Sequence, residues 1–148
     1  MPLPLLAESA IIIGAEADGW RDAVRLAGHA LAACGSARPG YADEMIRMID
    51  EHGPYVVIAP GLALAHARPG PDVLADGLAV VTLATPVLFG HPHNDPVRVV
   101  LGLAIKSAGT HIEAVAELAN IFNDSGTIAR LATAVSADEV LQIMGGTP

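Results

Sequence analysis

Cysteine is almost missing from this sequence. Cys34 is the only one, which excludes an internal disulfide and a cysteine-rich zinc site. Its place near the end of an apolar helical stripe reads as core packing. Positive charge is scarce too. Eight Lys and Arg against sixteen Asp and Glu give a formal net charge of -8, which argues against nucleic acid and anionic membranes as partners. Small anionic groups stay open, because two well-placed cations can overrule a global field. No apolar run reaches the ~18 residues of a membrane-spanning helix. The opening MPLPLLAESAIII has no basic start and is interrupted by Pro2, Pro4 and Glu8, so it makes a poor signal peptide and a cytoplasmic protein is expected. Nor do G-x-x-x-x-G-K-[ST], G-x-G-x-x-G or G-x-S-x-G occur, which removes the usual support for nucleotide hydrolysis, dinucleotide chemistry and serine hydrolysis.

What is present suits one folded domain over residues 1–148. The chain is 52% hydrophobic over 148 residues, enough to fill an interior at this size. Its 15 glycines and 11 prolines fall at turns without a collagen period. Ile11 to Ile13 predicts a strand ending at Gly14. Asp18 then offers an N-cap to a helix carrying Trp20, Val24, Ala27 and Leu31, stopped by Gly35. A second helix is expected from Tyr41 to His52, closed by Gly53. Strand formers run from Tyr55 to Ile58, turn at Ala59-Pro60-Gly61 and resume from Leu62 to His66. Gly77 to Thr85 and Val97 to Ile105 are nearly continuous apolar runs, the pattern of strands covered on both faces. Thr110-x-x-Glu113 reads as a capping box opening a third helix. A short helix follows near Ile128 to Ala132. Ser136-x-x-Glu139 opens a last one, closed by Gly145-Gly146. The expected architecture is a layered α/β sandwich with a central mixed sheet flanked by helices.

Histidine carries the chemical signal, since its ordinary pKa lies nearest neutrality. His66 ends a short apolar strand before a Pro/Gly-rich loop, where open α/β sheets border their ligand crevice. Period-two alternation puts His66 and Arg68 on one side, with the guanidinium able to clamp a phosphoryl group. A half-buried histidine held by backbone, with Arg68 a loop cation, fits the same residues. If Thr110 is the N-cap, His111 occupies the first helical position, where the helix end favours anions and a neutral imidazole; it reads equally as an ordinary polar residue of a first turn. His91, His93 and Asp95 form HPHND, best read as a solvated turn near the site. Joined to His66 or His111 these residues give a zinc alternative, though H-x-H is weak spacing. His29 and His52 read as surface histidines of helices.

The blocks YADEMIRMIDEHGPYVVIAPGLALAHARP, FGHPHNDPVRVVLGLAIKSAGTHIEAVAELANIF and IARLATAVSADEVLQIM, over roughly residues 5 to 145, resemble the enzyme IIA component of the bacterial phosphoenolpyruvate-dependent sugar phosphotransferase system. Within the mannitol/fructose superfamily the nearest branch is the ascorbate type. The resemblance implies an α/β sandwich with a central mixed sheet. It implies that His66 takes a phosphoryl group from the histidine-containing phosphocarrier protein and passes it to a cysteine of the cognate enzyme IIB. It further implies that His111 supports the phosphorylated state, that Arg68 belongs to the HARP string, and that no cofactor or metal is needed. Two departures stand out. Ala65 replaces a common proline, and Ile49-Asp50-Glu51 lacks the basic residue that the mannitol and fructose branches tend to carry there, which hands that charge to Arg68. Partners are expected to meet a rim formed by Ala65 to Pro69, His91 to Asp95 and the turn at His111. A homodimer is left open. The same fold and histidine also suit a regulatory relative that reports phosphorylation state, and a zinc hydrolase is the third reading.

Overall fold

The computed structural model describes residues 4 and 6–144. Its elements run β1 Leu6–Ala15, α1 Trp20–Ala33, α2 Gly40–His52, β2 Val57–Ala59, β3 Leu62–His66, β4 Gly77–Val87, β5 Val97–Ala104, α3 Ala108–Ile121, α4 Ser125–Ala132 and α5 Ala137–Ile143. The strands form one mixed sheet in the order β1-β4-β5-β3-β2. β1 runs parallel to β4 and β3 parallel to β5, while β4–β5 and β2–β3 are antiparallel. The expected layered sandwich is the architecture found.

Strand alternation divides the core into two layers. Ala63 and Ala65 of β3, Ala79 and Val81 of β4 and Val100 of β5 point into the layer built by α1 and α2, with Val24, Leu31, Tyr41 and Met45. Leu62 and Leu64 of β3, Val80 of β4 and Leu101 of β5 point the other way, to Leu118, Ile128, Leu131 and Val140 of the last three helices. Both faces of β4 and β5 are therefore covered, which is why those runs carry almost no polar residue. By the same period of two, His66 belongs to the face of Leu62 and Leu64, the face that α3 covers.

Small residues let the layers close up. α1 lies directly on the sheet at Gly102 of β5, where a Cβ would meet Leu31 at 3.2 Å and Ala27 at 3.3 Å. It meets α2 at Gly28, where a Cβ would stand 2.5 Å from the Cβ of Ala42. β2 and β3 are joined by the turn through Pro60 and Gly61, the latter at φ 82°, a conformation that glycine adopts without a Cβ penalty. The amide of Leu64 donates to Val56 at 2.7 Å, which draws the residues before β2 alongside the end of β3.

Several boundaries differ from the sequence expectation. β1 extends well beyond Ile11–Ile13, because parallel pairing with β4 recruits residues on both sides. The N-cap of α1 is Gly19, with no side-chain cap; Asp18 is displaced because its own amide is held by the Asp22 carboxylate at 3.1 Å. α4 starts earlier than Ile128, since Asp124 caps it through the amide of Gly126 at 2.9 Å. Ser136 caps α5 as expected, its hydroxyl accepting from the amide of Glu139 at 3.2 Å, while the Glu139 carboxylate reaches back to the amide of Val135 at 3.1 Å; Gly145-Gly146 lie outside the described residues.

Gly28→Ala tests the close approach of α1 and α2. Alanine favours the helix by about 1 kcal/mol, but a Cβ in contact with Ala42 forces the helices apart at about 1–3 kcal/mol. The expected result is a lower urea midpoint with an unchanged slope.

Candidate functional site

His66 is the last residue of β3 and stands beside Leu103 of β5 in parallel register. The ring is half-buried. Its Nδ1 lies 2.8 Å from the carbonyl oxygen of Leu64. A carbonyl can only accept, so Nδ1 carries the hydrogen, and in the neutral ring the lone pair is left on Nε2. Residues i and i+2 share a strand face, so the strand supplies this partner from its own backbone.

Two further rings pack against the imidazole. His111 approaches with ring centroids 5.1 Å apart at 62°, and Tyr55 with centroids 5.4 Å apart at 87°. The Tyr55 hydroxyl donates to the carbonyl of His66 at 3.2 Å. His52, at the end of α2, stands edge-on to Tyr55 at 6.4 Å. Four rings thus form a row, His52, Tyr55, His66 and His111, drawn from α2, the turn before β2, the end of β3 and α3.

His111 reaches this row by a route the sequence did not predict. The N-cap of α3 is Ser107, not Thr110: its hydroxyl accepts from the amide of Thr110 at 3.3 Å and bonds the Thr110 hydroxyl at 2.8 Å. The helix starts early because the chain is already pinned at the end of β5, where the amide of Lys106 donates to Asp76 at 2.9 Å. His111 is therefore the fourth helical residue, and its amide is spent on Ser107 at 3.0 Å. What it offers is its ring. Nε2 of His111 is covered and has no hydrogen-bond partner among the described residues, a rare condition for a buried polar atom and one that invites an acceptor.

Burial sets the charge state of both rings. It pushes the pKa of His66 below the ordinary histidine value; the bond to Leu64 opposes this, and the neighbouring His111 adds to it. Burial likewise lowers His111. Both imidazoles are neutral at neutral pH, so His66 keeps its lone pair. The Tyr55 phenol is raised, chiefly by burial, with the charge of Arg68 acting against it.

Arg68 sits at the edge of the row. β3 ends at His66, so alternation does not carry on to Arg68 as expected. Instead it lines a hollow of about 300 Å³ with Tyr41 and Glu44 of α2 and the stretch Pro69–Val73. The guanidinium makes no hydrogen bond or ion pair among the described residues and is exposed. Beneath this loop lies Tyr41, 1% exposed. Its hydroxyl donates to Leu103 at 2.8 Å and accepts from the amide of Ala67 at 3.0 Å, and burial pushes its pKa up to about 12. Tyr41 ties the residue after His66 to the end of β5.

The HPHND turn is elsewhere. β3 and β5 are parallel, and His91–Asp95 precede β5, so they lie beside Gly61 at the start of β3; Gly61 donates to Asn94 at 3.0 Å. The length of β3, roughly 13 Å at 3.3 Å per residue, separates that end from His66. Nδ1 of His91 accepts from the amides of His93 and Asn94 at 3.1 and 3.0 Å, and the Asp95 carboxylate accepts from the amides of Phe89, Gly90 and His91. These groups build a turn and are no part of a rim around His66. His66, His91, His93 and His111 are not brought together as the zinc reading requires, and no group of three metal-ligating side chains is found among the described residues. His29 is exposed on α1. Tyr55 was missed, although the turn through Gly61 already carried it back to the level of His66.

Two outcomes follow from these interactions. Tyr41→Phe leaves a buried carbonyl and a buried amide without their partner, and stability measured in urea is expected to fall by about 1–3 kcal/mol. In NMR titrations His66 and His111 are expected to protonate below the ordinary histidine value. The unfolded chain takes up protons first as pH falls, so stability is fully present above about pH 6.5. It is expected to decline below that, down to the lowered folded pKa values, with a smaller decline in His66→Asn.

Comparison with known proteins places the sequence and the fold in one family. The family model "Phosphoenolpyruvate-dependent sugar phosphotransferase system, EIIA 2" matches residues 4–145. The chain is 38% identical over 144 residues to the ascorbate-specific PTS system EIIA component of Shigella boydii, covering 96% of this chain and 94% of that one. Among solved structures, the Escherichia coli complex of enzyme IIA and phosphorylated enzyme IIB for mannitol is similar at a TM-score of 0.85, with 28% identity over 97% of this chain and 99% of that one. The nitrogen regulatory protein IIA-Ntr of Neisseria meningitidis is similar at a TM-score of 0.80, with 26% identity over 94% and 95%. No described helix is long and apolar enough to cross a membrane.

Proposed function

The chain belongs to the EIIA type 2 family of the phosphoenolpyruvate-dependent sugar phosphotransferase system, and from that membership we propose that it carries a phosphoryl group on Nε2 of His66. The observation that carries this reading is the bond from Nδ1 of His66 to Leu64 at 2.8 Å, which leaves Nε2 as the nucleophilic nitrogen. The donor is the histidine-containing phosphocarrier protein. Its nitrogen–phosphorus bond breaks as the Nε2–phosphorus bond of His66 forms, and the donor imidazole keeps the electron pair. The group then passes to a cysteine of the cognate enzyme IIB, in the cytoplasm, with the whole chain acting as one EIIA domain.

Phosphoryl transfer asks the protein mainly for placement and compensation of charge. The covered Nε2 of His111 is suited to donate to a phosphoryl oxygen, since an oxygen on His66 would give it the partner that the protein does not. Arg68, on the loop two residues on, supplies positive charge at the edge. The ascorbate-specific relatives favour ascorbate or a related sugar as the transported substrate. The likeness to a nitrogen regulatory protein supports a second reading, in which the phosphorylated chain signals to a target instead of feeding a permease; an adjacent enzyme IIB and membrane IIC gene would favour transport.

Incubation with phosphoenolpyruvate, enzyme I and the phosphocarrier is expected to add one acid-labile phosphoryl group, and His66→Ala to abolish it. Labelling lost in a His91 or His93 variant but kept in His66→Ala would overturn the assignment. His111→Ala is expected to accept the group and pass it on ~100-fold more slowly, the lower end of the scale for one lost transition-state donor. Onward transfer at the parental rate would remove His111 from the site.

A further inference from the structure

Resting on the reading of His66 as phosphoryl carrier, we propose that Tyr55 is a positioning residue that holds the His66 ring in the one orientation where Nδ1 meets Leu64 and Nε2 faces the donor. A ring tied at a single nitrogen keeps freedom about its two side-chain torsions. A free imidazole gains nothing from placing its hydrogen on Nδ1 unless a carbonyl stays in reach. Tyr55 restrains both ends of the residue. Its hydroxyl donates to the His66 carbonyl at 3.2 Å, fixing the last backbone unit of β3. Its ring meets the imidazole edge-on, at 5.4 Å and 87°, blocking rotation toward the hairpin.

Tyr55 is itself well held for this task. Its amide donates to Gly53 at 2.8 Å, and the amide of Val57 donates to Pro54 at 3.1 Å, so the turn leading into β2 is closed on both sides. Val57 pairs with Ala63, which sets Tyr55 level with the end of β3. His52 stands edge-on behind it at 6.4 Å. For a tyrosine that is 38% exposed and not needed to fill the core, this is an unusual number of constraints. The fold spends them on orienting His66, whose ring His111 meets from the helical side.

The test compares Tyr55→Ala and Tyr55→Phe with the parent in two measurements. Ring ¹⁵N NMR of unphosphorylated His66 is expected to show separate Nδ1–H and bare-Nε2 signals in the parent and in Tyr55→Phe. In Tyr55→Ala they should move toward the average of two tautomers. The saturating rate of phosphoryl uptake is expected to fall ~10-fold or more in Tyr55→Ala, in line with the sensitivity of positioned groups to small displacements. Tyr55→Phe should recover it to within about threefold, and the half-saturating phosphocarrier concentration should stay the same. If Tyr55→Ala fails to fold by circular dichroism, Tyr55→Leu replaces it, keeping apolar bulk without a ring edge. Parental ¹⁵N signals and rate in the Ala or Leu variant would overturn the proposal. A Phe variant as slow as Ala would assign the positioning to the hydroxyl bond instead of the ring edge, whereas a change confined to half-saturation would mark a docking residue and overturn the proposal. The ¹⁵N measurement needs no phosphoryl donor, so a parent that takes no label at His66 sinks the carrier reading and leaves the tautomer result to stand by itself.

Discussion

The hydrogen bond from Nδ1 of His66 to the carbonyl of Leu64 is the constraint on which the site depends. It decides which nitrogen is basic and aims that nitrogen away from the strand. It is also a local bond, made between residues two apart on one strand face. Its acceptor is therefore as fixed as β3, which is clamped between β2 and β5, while the ring itself needs further contacts to stay in place. Everything nearby bears on keeping this arrangement: Tyr41 fixes the amide of Ala67 just after it, Tyr55 the carbonyl of His66 itself, and the His111 ring closes the side facing α3.

Burial and accessibility pull in opposite directions here. A ring taken out of water loses its proton more readily, which favours a nucleophile at neutral pH. On the proposed reading two proteins must reach this ring, so it cannot be taken far from the surface. The position at the end of a strand resolves this, because the inner half of the ring meets Leu64 and two aromatic edges while the outer half meets solvent. One further residue along β3 toward the centre is Ala65, which is fully buried. One residue beyond His66 is Ala67, buried again on the α2 side. The alternation of the strand leaves position 66 as the place where a side chain is both held and reachable.

Much of this was legible in the sequence, and the misses have physical causes. β3 was bounded correctly because Gly61 and Pro69 punctuate it on either side. The capping boxes at Thr110 and Ser136 looked alike. Ser136 caps its helix, whereas Ser107 displaced Thr110 because the chain was pinned at Lys106 by Asp76, a contact thirty residues away that no local motif encodes. His91 and His93 were expected in a turn near the site, and nothing local to HPHND decides where that turn lies. Only the parallel pairing of β3 with β5 puts that turn at the far end. Tyr55 was within reach of a more careful reading, since a turn at Pro60-Gly61 folds it back onto His66.

The same geometry bears on why such a site suits a relay. On the proposed reading the phosphoryl group brings about two negative charges to a chain whose formal charge is already -8. A deep clamp of several guanidinium groups would stabilise it strongly, and every 1.4 kcal/mol of extra stability would slow its departure about tenfold. The described site contains nothing of that kind. His66 and His111 are neutral rings, and Arg68 lies exposed at the rim without a bond to either. On the same reading, modest donors would hold the group long enough to be handed on, while orientation, supplied by Leu64, Tyr55 and β3, would govern how fast it arrives. A site of this kind gains rate from placement and avoids becoming a sink.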